Sequence, residues 1–367
     1  MNPAWDGVRR QFPVLERWTY LNTATYGQMP LSSAEAVARH FARRDELGCI
    51  DFLSWFDDHD RLRGSIARLI HASAEDIAFI PNASAALAIL LQGLEWGEGD
   101  QVVTLSDEFP NNLYAPHFRS RVEFVETEWE RFEEAITSRT RLALLSMLNY
   151  SSGRRPPLEQ LGPRLRANGT LLYVDGTQGV GALQFDVQRI RPAMLAVHGY
   201  KWMLAPTGAG FMYVDPALRD RLRPTVVGWR SDRAWRQVNA LHHGRPRLKD
   251  AAEKYEGGNL PHALLYALEP PVEMMLELGP EKIEARVLEL ARLVRCALRD
   301  AGAEVEEGET PIVAGRFKGV DVSRVASELK QRRVIVSARR GHLRVSAHFY
   351  NNEGDIARFA DELKRLI

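Results

Sequence analysis

The sequence predicts an α/β protein in which a large, mostly parallel sheet domain covered by helices is followed by a small α+β C-terminal domain. Three observations lead there. From residue 77 to residue 214, short and almost wholly apolar segments alternate with helical ones, the pattern of strands buried on both faces. Beyond about residue 260 the pattern changes to two long helical stretches, then to closely spaced strands and helices, as a separate α+β unit requires. The composition, 45% hydrophobic and 26% charged over 367 residues, supplies enough apolar material for a large domain and a smaller one.

The elements follow in order. Ala34, Val37, Phe41 and Leu47 recur at helical spacing within 31–70, with Cys49–Trp55 interrupting the polar pattern. Ile77–Ile80 is a short apolar run, after which Asn82 and Ser84 open an apolar helix that lasts to Leu94. Strands are expected at Gln101–Leu105, Val122–Val125, Leu142–Leu148, Leu171–Val174, Met194–Val197 and Phe211–Val214, with helices at Glu130–Ile136 and Leu158–Ala167. Past the boundary, Pro261–Leu278 and Ile283–Asp300 read as helices. Strands near Ile312–Phe317, Val334–Ser337 and His342–Ser346 and a helix over Ser323–Arg332 follow. Asn352, with Asp355 three residues on, caps a closing helix.

Composition also narrows function. The 48 basic and 48 acidic side chains cancel, so there is neither the basic footprint of a nucleic-acid binder nor a polybasic patch for a membrane surface. Two cysteines, Cys49 and Cys296, cannot build a disulfide framework or a cysteine-rich zinc site. No apolar run approaches the roughly 20 residues that span a bilayer, and Met1–Arg10 lacks the apolar centre of a secretory signal. A cytoplasmic protein is expected. Only seven of the 48 basic residues are lysines, and Lys201 is the one lysine among the first 248 residues.

Ligands of open α/β sheets bind outside the carboxyl ends of the strands, so the strand exits carry the functional reading. Lys201 follows an apolar strand and precedes Trp202, Met203 and Leu204. Loss of solvation there favours a neutral amine able to attack a carbonyl, although a lysine snorkelling from a strand edge fits the same context. Asp175 ends the strand LLYVD and needs a cation if buried, or is a turn aspartate before Gly176. Asn82-Ala83-Ser84 at a helix start offers free N–H groups to a phosphate, or is a plain cap. Glycines 176, 179 and 181 do not match the dinucleotide fingerprint. Taken together, an amine for an aldehyde, a carboxylate for a ring nitrogen and N–H donors for a phosphate are what pyridoxal 5′-phosphate (PLP) requires.

The segments YLNTATYG (20–27), VDGTQGVGAL (174–183), HGYKW (198–202) and RVSAHFYN (344–351), in that order, resemble the class V aminotransferase family of fold-type I PLP enzymes. Its relatives include cysteine desulfurases, kynureninases and isopenicillin N epimerase-like proteins. The resemblance implies that Lys201 forms the Schiff base, that Asp175 pairs with the pyridine nitrogen, and that Gln178 and Asn149 lie by the ring hydroxyl. It places Phe109 in the ring-stacking position and gives the phosphate to Ala83, Ser84, His198 and Tyr200. Gly258-Asn259 matches a Gly-Thr pair that reaches the phosphate of a partner subunit in a homodimer. Arg344 matches the arginine that clamps the substrate α-carboxylate. The implied division is an N-terminal segment, 1–20, associated with the small domain, a large domain, 21–260, and a small domain, 261–367.

An aminotransferase is the favoured activity, followed by a β-lyase of C–S lyase type or an epimerase, then a PLP-fold binding protein without catalysis. A desulfurase needs a loop cysteine before the carboxylate-binding arginine, and Ser337–Leu343 has none. Cys296 reads as a structural thiol of its helix. His242 and His243 lack a third ligand for a metal. Trp55, Trp96, Trp202 and Trp229 read as core or interface, and the arginine-rich stretch 219–235 as solvated. Arg230 alone is expected to read a substrate side-chain carboxylate.

Overall fold

The computed structural model describes residues 3–119 and 121–367. Its main sheet has seven strands: β1 (Ile77–Ile80), β2 (Asp100–Leu105), β3 (Val122–Thr127), β4 (Thr140–Ser146), β5 (Leu171–Asp175), β6 (Met194–His198) and β7 (Gly210–Val214). They lie in the order β1-β7-β6-β5-β4-β2-β3. Pairing is parallel from β6 through β5, β4 and β2 to β3, whereas β7 is antiparallel to both β6 and β1. Because β7 runs backwards between them, β1 points the same way as β2–β6. All the strand exits named from the sequence therefore open on one edge.

Both faces of the sheet are covered, which is why its strands carry no polar alternation. Val103, Leu145, Val174, Val197 and Phe211 enter one apolar cluster, and their neighbours Val102, Leu144, Tyr173, Ala196 and Met212 enter another. The expected strand 142–148 stops at Ser146, where the main chain leaves the ladder beside Asp175. The expected helix over 31–70 is two helices, α1 (Leu31–Leu47) and α2 (Phe52–Leu69). Gly48 and Cys49 adopt φ of 55° and 62° and end the first by a left-handed cap.

Helix α3 (Ala83–Gly93) follows β1, and α4 (Leu158–Ala167) connects β4 to β5. Helix α5 (His262–Leu278) packs on α1 and α2, with the Ser33 hydroxyl donating to the Ala267 carbonyl at 2.7 Å. A third apolar cluster takes in α6 (Pro280–Asp300) from Leu290 onward. It joins that helix to α7 (Val322–Gln331), α8 (Glu353–Lys364) and a four-stranded antiparallel sheet. The strands of that sheet are β8 (Glu304–Val305), β9 (Val313–Arg316), β10 (Ser337–Arg339) and β11 (His342–Val345), in the order β10-β11-β9-β8. The single strand expected at 334–337 divides. Val334–Ile335 pairs in parallel with Thr19–Tyr20, and only from Ser337 does the chain turn to pair with β11. Leu21 belongs to this third cluster, and Arg9 pairs with Asp355 at 2.7 Å. Asn352 caps α8 reciprocally with Asp355, as read from the sequence.

Candidate active site

The segment carrying Lys201 is gripped from three sides. Gly27 N–H donates to the Tyr200 carbonyl at 2.9 Å, and a Cβ on Gly27 would lie 1.9 Å from the Lys201 carbonyl oxygen, so only glycine fits there. Trp202 Nε1 donates to Gln178 Oε1 at 3.0 Å. His348 Nε2 donates to the Trp202 carbonyl at 2.9 Å. Leu204 closes the turn in the left-handed region, φ 57°, with its N–H on the Lys201 carbonyl. The Lys201 side chain is thus held at the strand edge, 6% exposed, with Nζ 5.4 Å from the Phe109 ring centre and 5.3 Å from that of Tyr200. Burial pulls its pKa down to about 8, against the opposing pull of the Asp175 carboxylate; Arg344 and Arg339 lower it further.

Register brings the acidic partner across. Ser146 and Asp175, the last residues of β4 and β5, lie side by side with Ala196 of β6. Asp175 Oδ1 accepts the Thr177 N–H at 2.9 Å, and burial raises its pKa against that bond. No cationic side chain pairs with it among the described residues. Thr177 Oγ1 in turn takes the His198 N–H at 3.1 Å. His198 Nε2 accepts from the Gly208 N–H at 3.2 Å, so the neutral ring carries its proton on Nδ1. Burial and the Lys201 charge push the His198 pKa down to about 4 and keep the ring neutral at physiological pH.

The third wall is the loop after β2. Phe109, at the surface edge, meets Tyr150 edge-on with ring centres 5.3 Å apart. Beneath it, Glu108 is buried and accepts from Ser146 N (2.6 Å), Ser146 Oγ, Asn112 Nδ2 (3.1 Å) and Phe109 N. Burial lifts its pKa to about 7, with Asp175 adding to the rise. Asn149 Oδ1 caps its own turn through Ser151 and Ser152, while its Nδ2 donates to the Asp107 carbonyl at 3.0 Å.

Arg344 arrives from β11. It is 1% exposed and has no carboxylate partner among the described residues. Its Nε donates to Ser337 Oγ at 3.1 Å, Nη1 to the Tyr150 carbonyl and Nη2 to Thr25 Oγ1 at 2.6 Å. Burial and the neighbouring Arg339 charge lower its pKa to about 10. One cavity is lined by Ala83, Phe109, Ser146, Tyr150, Asp175, Thr177, Gln178, His198, Tyr200 and Lys201.

Residues 56–359 match the family described as aminotransferase class-V. The chain belongs to the class-V aminotransferase family. It is 27% identical to isopenicillin N epimerase of Streptomyces clavuligerus over 99% of this chain and 98% of that protein. It is 24% identical to a probable cysteine desulfurase of Methanothermobacter thermautotrophicus, with 98% of each covered. Among solved structures, a complex of the cystine C–S lyase C-DES with its product cysteine persulfide superposes with a TM-score of 0.88 at 20% identity, covering 96% of this chain and 99% of that one. The apo cysteine desulfurase of Thermococcus onnurineus superposes with a TM-score of 0.87 at 18% identity, covering 99% and 98%. These likenesses establish the fold-type I architecture, and the cofactor of the family is PLP.

The class-V site fits that cofactor on the structure's own terms. It offers a buried amine of lowered basicity, a buried carboxylate without a cation, a histidine whose proton is directed to Nδ1, and the first-turn N–H groups of α3. In α3, Asn82 Oδ1 takes the Ala85 N–H at 2.9 Å, and Ala83 lines the cavity. Ser84 is exposed, and its hydroxyl bonds Asn111 Oδ1 at 2.8 Å. Gln178 lines the cavity with its amide engaged by Trp202 and by the Ala24 carbonyl. Asn259 follows Gly258, is exposed and does not line the cavity.

Two expectations change. The stretch 219–235 is not uniformly solvated, because Arg230 is fully buried and pairs with Glu253 and with Glu256 at 3.0 Å. Its guanidinium is committed to those carboxylates, which removes it as a reader of substrate. Cys296 lies on the solvent-facing side of α6 rather than in the core. Sequence reading missed Glu108, Ser146, Thr177 and Tyr150. The signal for Glu108 was a carboxylate immediately before the ring-stacking position.

Proposed function

We propose that this chain is a PLP-dependent aminotransferase acting at the α-carbon of an amino acid. The observation that carries the reading is the buried Arg344, which pairs with no carboxylate among the described residues, donates to the carbonyl of cavity-lining Tyr150 and acts electrostatically on Lys201. A planar guanidinium with unused N–H groups suits a substrate α-carboxylate. Holding that carboxylate fixes the Cα–H bond toward Lys201, whose amine at a pKa of about 8 is matched to taking a proton near neutral pH. PLP supplies the electron sink for the carbanion. Asp175 would hold a proton at the ring nitrogen, Phe109 would cover the ring, and Ala83, Ser84, His198 and Tyr200 would take the phosphate, with Gln178 and Asn149 toward the ring hydroxyl. The turn between β10 and β11 is only Arg340-Gly341 and carries no cysteine, which argues against desulfurase chemistry. A cytoplasmic homodimer, in which Asn259 approaches the partner's phosphate, completes the proposal. The exposed position of Asn259 leaves it open to a partner subunit.

An epimerase is the second reading, favoured by the full-length match to isopenicillin N epimerase. Absorbance during addition of L-amino acids without keto acid separates the two. An aminotransferase loses its visible band once per active site and releases one equivalent of keto acid. An epimerase keeps the band while the amino acid racemises. Continued release of keto acid with the band retained means a lyase.

A further inference from the structure

We propose that the substrate bears a second carboxylate, on its side chain, and that Arg339 binds it; this rests on the amino-acid-binding reading of the same site. The argument starts from the β10–β11 hairpin. Ser337 pairs with Arg344 and Arg339 with His342, so these four side chains share one face of the hairpin. The opposite face, Ala338 and Leu343, packs into the apolar cluster of the small domain. Arg339 therefore stands on the active-site side with Arg344. It is half-buried, its Nη1 donates only to the carbonyl of Ala338, at 2.8 Å, and no carboxylate pairs with it among the described residues.

Its charge reaches the site, since Arg339 lowers the basicity of both Lys201 and Arg344. Arg340, at the turn, brings a third guanidinium to 5.5 Å from the ring of Tyr150, which lines the cavity. Of the acidic groups at the site, Asp107 is paired with Arg154, Glu108 accepts from four donors, and Asp175 lines the cavity with Lys201. One α-carboxylate cannot balance both Arg339 and Arg344. A dicarboxylic amino or keto acid supplies the second anion, with Arg344 on the α-carboxylate and Arg339 on the distal one.

Inert diacids test this without chemistry, so the outcome is independent of whether the enzyme transaminates, racemises or cleaves. Calorimetric titration of the holoenzyme compares succinate and glutarate with propionate and butyrate. The proposal expects a diacid preference of about tenfold or more. Arg339→Ala should remove that preference while leaving monoacid affinity within about threefold, and Arg339→Lys should restore part of it. Arg344→Ala should weaken both classes. Equal affinities in the wild type, no detectable binding of either class, or equal weakening of both by Arg339→Ala would each overturn the proposal. Aspartate and glutamate against 2-oxoglutarate and oxaloacetate then show whether donor, acceptor or both carry the second carboxylate.

Discussion

Two buried charged assemblies in this molecule use the same side chains to opposite ends. Around residue 256, Arg63 and Arg230 share Glu256, Arg230 also holds Glu253, and Lys249 reaches Glu253 at 2.6 Å. Every guanidinium there has a carboxylate. Around residue 201, Lys201, Asp175 and Arg344 are equally buried, yet none has an ion-pair partner among the described residues. Hydrogen bonds orient Asp175 and Arg344 without neutralising them. Burying a charge without a partner costs several kcal/mol, so a site that does so three times is built for an incoming ligand. The paired assembly holds the loop 228–258 in place; the unpaired one awaits cofactor and substrate.

The comparison can be broken by substitution. Lys201→Ala should reduce turnover by about a thousandfold or more, with no loss of apo-protein stability in urea. A turnover loss under tenfold would remove Lys201 from the chemistry. Glu256→Ala removes the carboxylate that two buried arginines share, leaving Arg63 only its longer pair with Asp60, and should destabilise the fold by about 3–5 kcal/mol, while kcat per folded molecule changes less than about threefold. If unfolding is unchanged, the paired assembly is not structural. Arg344→Ala should lower kcat/KM by about a hundredfold without destabilising the chain, the reverse of the Glu256 outcome.

The sign of the pH dependence sharpens the contrast. The folded pKa of Lys201, about 8, lies below its ordinary 10.5, so between these values the unfolded chain binds more protons. Apo-protein stability should therefore rise with pH through that window. Lys201→Met should be more stable than wild type below pH 8, by up to about 3 kcal/mol, with the gap closing toward pH 10.5. A gap independent of pH would mean that Lys201 is not held partly neutral. Smallest of all, Arg233→Ala opens the exposed pair with Asp250 in the same loop as Arg230 and should cost no more than about 0.5 kcal/mol.

Much of the site was legible because its residues contradict their surroundings. Lys201 and Asp175 are charges at the ends of apolar strands, and Arg344 stands in a strand that otherwise buries its side chains. Glu108 was not legible, since its burial depends on the loop 107–112 folding under the end of β4. The Arg230 partners were hidden for a similar reason, lying 23 and 26 residues along an irregular loop. The reversal of β7 had a signal that went unused. Residues 199–209 are too few, and too poor in helical pattern, for the crossover of about a dozen residues or more that a parallel connection requires.

Borohydride reduction of the holoenzyme followed by peptide mass mapping tests the central claim most directly. The account predicts a single pyridoxyl label, on Lys201, among the seven lysines of the chain. Lys249 and Lys254 are also lowered in basicity by burial, but each is already held, by Glu253 and by the Arg219 carbonyl. A label on either of them, or none at all, would contradict the assignment of the unpaired site.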